Sequence, residues 1–348
     1  MKQHEREFLV SMIRTGKVFI NVNDISLVVH PLTIDQAYLS CEIYNNAYQQ
    51  AYIDGMMDED EMSEWMELNG LWSKEEEAKS ERFKKDLEKL KVEIYNARND
   101  AGLREKIRLY LREGEKQFAH HLSKKNTYYQ NTREGVAATE KVAWTIRNST
   151  YCNDKLCDFS EVGLTYVVDE WQSSFLTDSQ SRELARNEPW KSLWLIRENT
   201  KIQLFNNPQD SELTYNQKNL IIWSQMYDNI QESLDCPSKE AIDDDDVLDG
   251  WFIIQAKKRE QEKFEQEVSA NTNNEKIKNA SEVFMVANNK KDATRINESN
   301  SIHSQNIKRQ REAMIKRRGT VAQHDFPDER LNIQAQQTSQ FKGKFKGG

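Results

Sequence analysis

Glycine and proline are scarce in this chain, twelve and five among 348 residues. Sharp reversals draw on glycine for positive φ and on proline for a preset φ. The chain is therefore poorly equipped for a many-turned β-sandwich, a glycine-rich phosphate loop or a collagen-like repeat. Long helices joined by few connections are the class that remains. Composition agrees: 37% of residues are hydrophobic and 30% charged, which suits helices with one buried stripe and one wet face. The length accommodates two core-bearing domains and a tail.

One β signal stands near the start. Val18–Val22 and Ile25–His30 flank Asn23-Asp24, a pair that tolerates turn geometry, and predict a hairpin ending at Pro31. Thr33 with Gln36 reads as a capping box opening a helix. Its stripe is Ile34, Ala37, Tyr38, Cys41, Tyr44, Tyr48, Ala51 and Tyr52, and Gly55 can close it. A short helix carries Met62, Trp65 and Met66 and stops at Gly70. Ser73 with Glu76 repeats the box. Phe83, Leu87, Leu90, Ile94 and Ala97, then Leu103, Ile107, Tyr110, Leu111, Phe118 and Leu122 after the Asn99-Asp100 break, predict a helical hairpin over 73–125 that projects from the body. Thr132 caps a further helix with Ala138, Val142 and Ile146 one turn apart.

The second half opens on an irregular stretch from Tyr151 to Phe159. Trp171, Trp190, Trp194, Trp223 and Trp251 then point to a second, Trp-rich helical core. Pro189 sits at the first turn of one helix there, and Thr214 with Gln217 caps another with Leu220, Trp223, Tyr227, Ile230 and Leu234 inward. Asp243–Asp246 lead into Val247, Leu248, Trp251 and Ile254, followed by Lys257, Lys258 and Arg259, a charge order that complements the helix dipole. Beyond Gln255 that helix is polar and is expected to leave for solvent. The fold expected is mainly α: helical domains with a long helical hairpin, a small N-terminal β-hairpin and a flexible C-terminal tail. The division expected is a hairpin segment over 1–31, a helical domain over 32–150, a Trp-rich helical domain over 151–269, and a linker with a basic tail over 270–348.

No constellation of reactive side chains stands out. Asp243–Asp246 with Asp249 form the densest acid run, but a calcium loop alternates its ligands around a central glycine and ends in a distal Glu. Helix capping is the simpler reading. Asp54, Asp58, Glu59, Asp60 and Glu61 fail the same pattern. Cys152 and Cys157 lack the second Cys or His pair of a structural zinc site, so a loop or small hairpin is expected there. His120 and His121 belong to no metalloprotease or di-iron motif and read as surface or interhelical packing. No Walker loop, dinucleotide fingerprint or nucleophile elbow is present. The expectation is a protein without catalytic residues, cofactor or metal. The four cysteines, with no secretion signal and no apolar run of spanning length, read as reduced thiols in a cytosolic protein that does not enter membranes.

Net charge is −8, yet from Ser301 onward ten Lys and Arg residues stand against four acids. A basic tail on an acidic body suits contact with an acidic partner. The candidate partner-binding residues are Phe284 and Met285, within a short apolar run over 283–286, and the bases Lys308, Arg309, Arg311, Lys316, Arg317 and Arg318. The bases lack interleaved aromatics, so any nucleic-acid contact through them would be nonspecific.

Three stretches carry a family likeness. They are the ten residues from Glu183 through Pro189-Trp190 to Ser192, the six from Trp223 to Asp228, and the segment from Cys236-Pro237-Ser238 through Gly250-Trp251-Phe252 to Gln255. Together they resemble a family of tailed-bacteriophage proteins described as virion-structural or tail-region proteins of unassigned role. The opening layout, Val29-His30-Pro31-Leu32-Thr33-Ile34 after a hairpin, is similar to phage tail and baseplate assembly chaperones. The resemblance implies a tail or baseplate assembly factor that holds a phage tail protein in the host cytoplasm. The alternatives it leaves are a permanent minor component of the virion and a nucleic-acid-associated protein using the basic tail.

Overall fold

The computed structural model describes residues 1–22, 25–160, 162–197 and 203–272. Twelve helices and four short strands lie among them. The mainly helical expectation holds. The Asn23-Asp24 turn and everything after Thr272 fall outside the described residues.

The chain opens with a helix the sequence reading missed, α1 (Gln3–Thr15). Its charged surface hides Val10 and Ile13, one turn apart and both buried. The Glu5 carboxylate accepts the Lys2 N–H at 2.6 Å, and Gly16 ends the helix at φ 68°. A Cβ at Gly16 would also stand 2.5 Å from Asn207 Oδ1, so the position excludes other residues twice over.

Strands β1 (Val18–Val22) and β2 (Ile25–Val29) pair antiparallel with Val18 opposite Val29. The hairpin is half of a larger sheet. β3 (Thr150–Cys152) and β4 (Lys155–Leu156) form a second hairpin, and Leu27 of β2 lies opposite Cys152 of β3. The sheet order is β1-β2-β3-β4. The stretch read as irregular therefore holds two strands, too short to show alternation in sequence and defined by the partner edge of β2. Asn153 and Asp154, at φ 48° and 60°, make the turn. Ile20, Val22, Leu27 and Val29 face one core with Ile146 and Val167.

Helix α2 (Ile34–Ile53) starts on the expected box: Thr33 Oγ1 accepts from Gln36 N, and Gln36 Oε1 accepts from Thr33 N. The stripe assigned to it was too broad. Ala37, Tyr44, Tyr48 and Ala51 turn inward to α6 (Arg133–Ser149), whereas Ile34, Tyr38, Cys41 and Tyr52 are exposed. α3 (Glu59–Leu68) stops at Gly70, as its sequence predicts.

α4 (Lys74–Asn96) and α5 (Ala101–Lys125) form the long hairpin. It does not project freely. At its turn, Ile94, Ala97, Ile107 and Leu111 bury against Ala241 and Val247 of α11 (Lys239–Asp243) and α12 (Asp245–Thr272). At the other end His121 is buried against Trp72, with ring centroids 4.7 Å apart, which bears out interhelical packing for that residue. Ser73 accepts from Glu76 N, but the Glu76 carboxylate turns to His121 Nδ1 at 3.3 Å, so only half of the second capping box forms.

The Trp-rich core gathers α8 (Asp178–Arg186), α9 (Trp190–Ile196) and α10 (Tyr215–Glu232) with α12, whereas Trp171, expected there, packs with the rest of α7 (Leu164–Ser173) against the sheet core. Leu184, Trp190, Leu220, Ile230 and Leu248 are almost fully buried there, and Val10 and Ile13 of α1 join them. Gln217, also buried, donates from Nε2 to Ile13 O and to Asn207 Oδ1, both at 2.8 Å, tying α1, the loop before α10 and α10 together. The expected boundary at 150–151 does not divide the structure. Cores are shared across it, and Met1–Glu262 is one compact unit. The second unit begins at Lys263, and its described part is helical through Thr272. Ala256–Lys263 are exposed, as the polar sequence there predicts.

Candidate functional site

Four acids of the run that dominates the sequence, Asp244, Asp245, Asp246 and Asp249, are paired with cations. On α5, Arg104, Arg108 and Arg112 recur every four residues and so share one face. Arg108 Nε lies 2.7 Å from Asp246, and its Nη2 lies 2.7 and 2.6 Å from the two Asp244 oxygens. Arg112 reaches both Asp246 oxygens, at 2.8 and 2.9 Å. From α8, Arg186 meets Asp245 at 2.5 Å and Arg182 meets Asp249 at 2.7 Å, while Lys91 of α4 closes on Asp249 at 2.8 Å.

Burial lowers the tendency of Arg108 to stay charged, but the hydrogen bonds and charges of Asp244 and Asp246 outweigh it and hold the guanidinium well above its ordinary pKa. These carboxylates are neutralised by guanidinium groups, so they fasten helices together and have no oxygen pattern set aside for an ion. Among the described residues no group of three or more His, Cys, Asp or Glu side chains could hold a metal. The signal available in sequence was the four-residue spacing of arginines on α5 and on α8, read beside the acid run.

Asp58 and Glu61 of the other acidic group pair with Arg133 at 3.3 and 2.5 Å. All four cysteines are free thiols, with Cys41 and Cys236 exposed. Cys152 and Cys157 sit on the β3–β4 hairpin, as expected for a small hairpin. Burial, with Cys152 and Asp158 nearby, raises the Cys157 thiol above its usual pKa.

One concave feature, a cavity of about 680 Å³, was not anticipated from sequence. Its apolar wall comes from separate elements, including Met12 of α1, Val29 of β2, Ala37 of α2, Val142 of α6 and Trp171 of α7. Phe8, Leu213 and Tyr215 belong to the lining and stay largely exposed, marking the mouth. Hydroxyl and amide side chains, Ser40, Thr145, Ser149 and Asn216 among them, also line it, and its charged or imidazole groups are few. Lys17, His30, Lys141 and Glu212 line it. Lys141 Nζ has the Cys41 Sγ as a neighbour at 3.6 Å. Burial lowers the His30 pKa, the Lys17 ammonium lowers it further, and Asp154 opposes both. No spacing in the chain announces this cavity, because its walls are drawn from elements spread between Phe8 and Asn216.

Phe284, Met285, Lys308, Arg309, Arg311, Lys316, Arg317 and Arg318, named from sequence as partner-binding, lie outside the described residues, so the structure brings none of them to a site. Among the described residues no helix is long and apolar enough to cross a membrane. No protein-family model, curated protein or solved structure matches the chain.

Proposed function

We propose that this chain is an assembly factor of a tailed bacteriophage, holding a tail or baseplate protein in the host cytoplasm until it is built in. The phage assignment comes from the resemblance of the stretches around Trp190, Trp223 and Trp251. The holding mechanism draws on one structural observation. Ile34, Tyr38 and Tyr52, which helical periodicity places on one outer face of α2, are 58, 66 and 60% exposed, with Leu39 and Ile53 beside them. Large apolar side chains grouped on one element make a surface suited to another protein's apolar face. The dense charge of α4 and α5 keeps a complex dispersed.

The test is co-elution. Full-length protein mixed with tail-tube, hub and tape-measure proteins at physiological salt should bind one of them, and Tyr38→Asp should release it. Failure with all of them removes the holding reading. Mass spectrometry of finished virions separates an assembly factor, absent or trace, from a permanent minor component. The basic residues after Ser301 favour one rival, contact with nucleic acid, which predicts a salt-sensitive gel shift lost on deleting them.

A further inference from the structure

We propose that the 680 Å³ cavity is a binding site for a small anionic amphiphile, an apolar chain with a carboxylate head. The inference does not rest on the holding reading, although α2 lends Ala37 and Cys41 to the cavity lining. The volume falls in the range of about 300–1,000 Å³ that takes drug-sized ligands. The wall is apolar on the α1, β2 and α7 sides, through Met12, Val29 and Trp171, and burying an alkyl chain there contributes about 0.8 kcal/mol per methylene.

Charge decides which amphiphile. Lys17 and Lys141 line the cavity, and among the described residues neither has a carboxylate within ion-pair distance. Glu212, the one acid in the lining, is drawn to Lys218 at 4.0 Å. Arg108, Arg182 and Arg186, partly buried elsewhere in the body, each meet an aspartate, whereas the two lysines beside this apolar wall have no carboxylate partner among the described residues. A carboxylate entering it gains charge-assisted hydrogen bonds from a lysine, while a cationic head meets like charge. The thiol of Cys41 leaves the Lys141 ammonium ready to exchange a weak partner for a strong one.

Isothermal titration of the full-length protein with dodecanoate, and with dodecyltrimethylammonium as the matched cation, both below micelle-forming concentration, tests this. Dodecanoate should bind one per chain and at least about tenfold more tightly than the cation. Lys141→Met should weaken dodecanoate by about tenfold and leave the cation no weaker. Ala37→Trp, which fills the cavity, should abolish both while circular dichroism stays unchanged. Equal affinity for the two amphiphiles, or a Lys141→Met protein that binds dodecanoate like wild type, would overturn the proposal. So would displacement of dodecanoate by an apolar peptide with a free C-terminal carboxylate but not by its amide, which would make the ligand a protein terminus.

Discussion

Arg108 and Asp244, 136 residues apart in sequence, meet with one guanidinium nitrogen 2.7 and 2.6 Å from the two carboxylate oxygens. The same arginine holds Asp246 through Nε. One side chain of the hairpin thus secures two aspartates, Asp244 just before α12 and Asp246 in its first turn. Removing one partner from a buried pair costs about 3–5 kcal/mol. With the Arg108 side chain 23% exposed, solvent screens part of that. Arg108→Ala should destabilise the protein by about 2–3 kcal/mol in urea unfolding. The Arg108→Ala/Asp246→Ala double variant should lose less than the sum of the two single changes, because either single change already removes the contact between them. Strict additivity would show that the contact carries no coupling energy.

Gly250 lies where α12 crosses α4, and a Cβ there would stand 2.2 Å from the Lys91 carbonyl oxygen. In an open helix, Gly→Ala stabilises by about 1 kcal/mol. Here the backbone contact reverses the sign. Gly250→Ala should cost more than about 2 kcal/mol, since the helices must part and Asp249 must leave Lys91. Gly102, in α5, has only Asp100 Oδ1 at 3.6 Å in its path and serves as control. Gly102→Ala should be neutral or stabilising. Thermal melts of the two variants should move in opposite directions or differ by several degrees.

His30 titrates below the ordinary imidazole value of 6.5, first through burial and next through the charge on Lys17. Lys17→Ala should raise its pKa and Asp154→Asn should lower it, read from imidazole proton shifts in NMR. The sign for stability follows from proton counting. Between the folded and unfolded pKa the unfolded chain binds more protons, so the contribution of His30 is whole above pH 6.5 and is lost as pH falls towards the folded value. A His30→Asn variant should lose that part of the acid sensitivity. An imidazole pKa at or above 6.5 would contradict the placement of His30 beside the cavity.

What could be read from sequence was what local physics decides. The caps at Thr33, Thr132 and Thr214 depend on residues three apart, and all formed. Gly55 and Gly70 announced their helix ends, and both have positive φ. The misses share one cause, dependence on distant partners. Val10 and Ile13 look unremarkable among charges until the α10 core lies beneath them. Thr150–Cys152 becomes a strand only because β2 offers an edge. Glu76 left its cap for His121, a residue the capping rule does not see. The cavity was least legible, since its lysines and its apolar walls come from elements that meet only after folding.

Trp190 is fully buried, and its indole N–H donates to Ser224 Oγ at 2.8 Å, while that hydroxyl donates to Leu220 O at 2.6 Å. The serine is the indole's route to satisfaction inside an apolar core that also stacks Phe205 and Trp194 on the ring. Ser224→Ala should cost about 1–3 kcal/mol, the penalty of a stranded buried donor, although alanine is the better helix former. Trp190→Phe removes the donor along with part of the ring. In that background Ser224→Ala should cost little or nothing, because no indole N–H remains to be stranded. Equal cost in both backgrounds would place the serine's contribution in packing and leave the hydrogen bond without energetic weight.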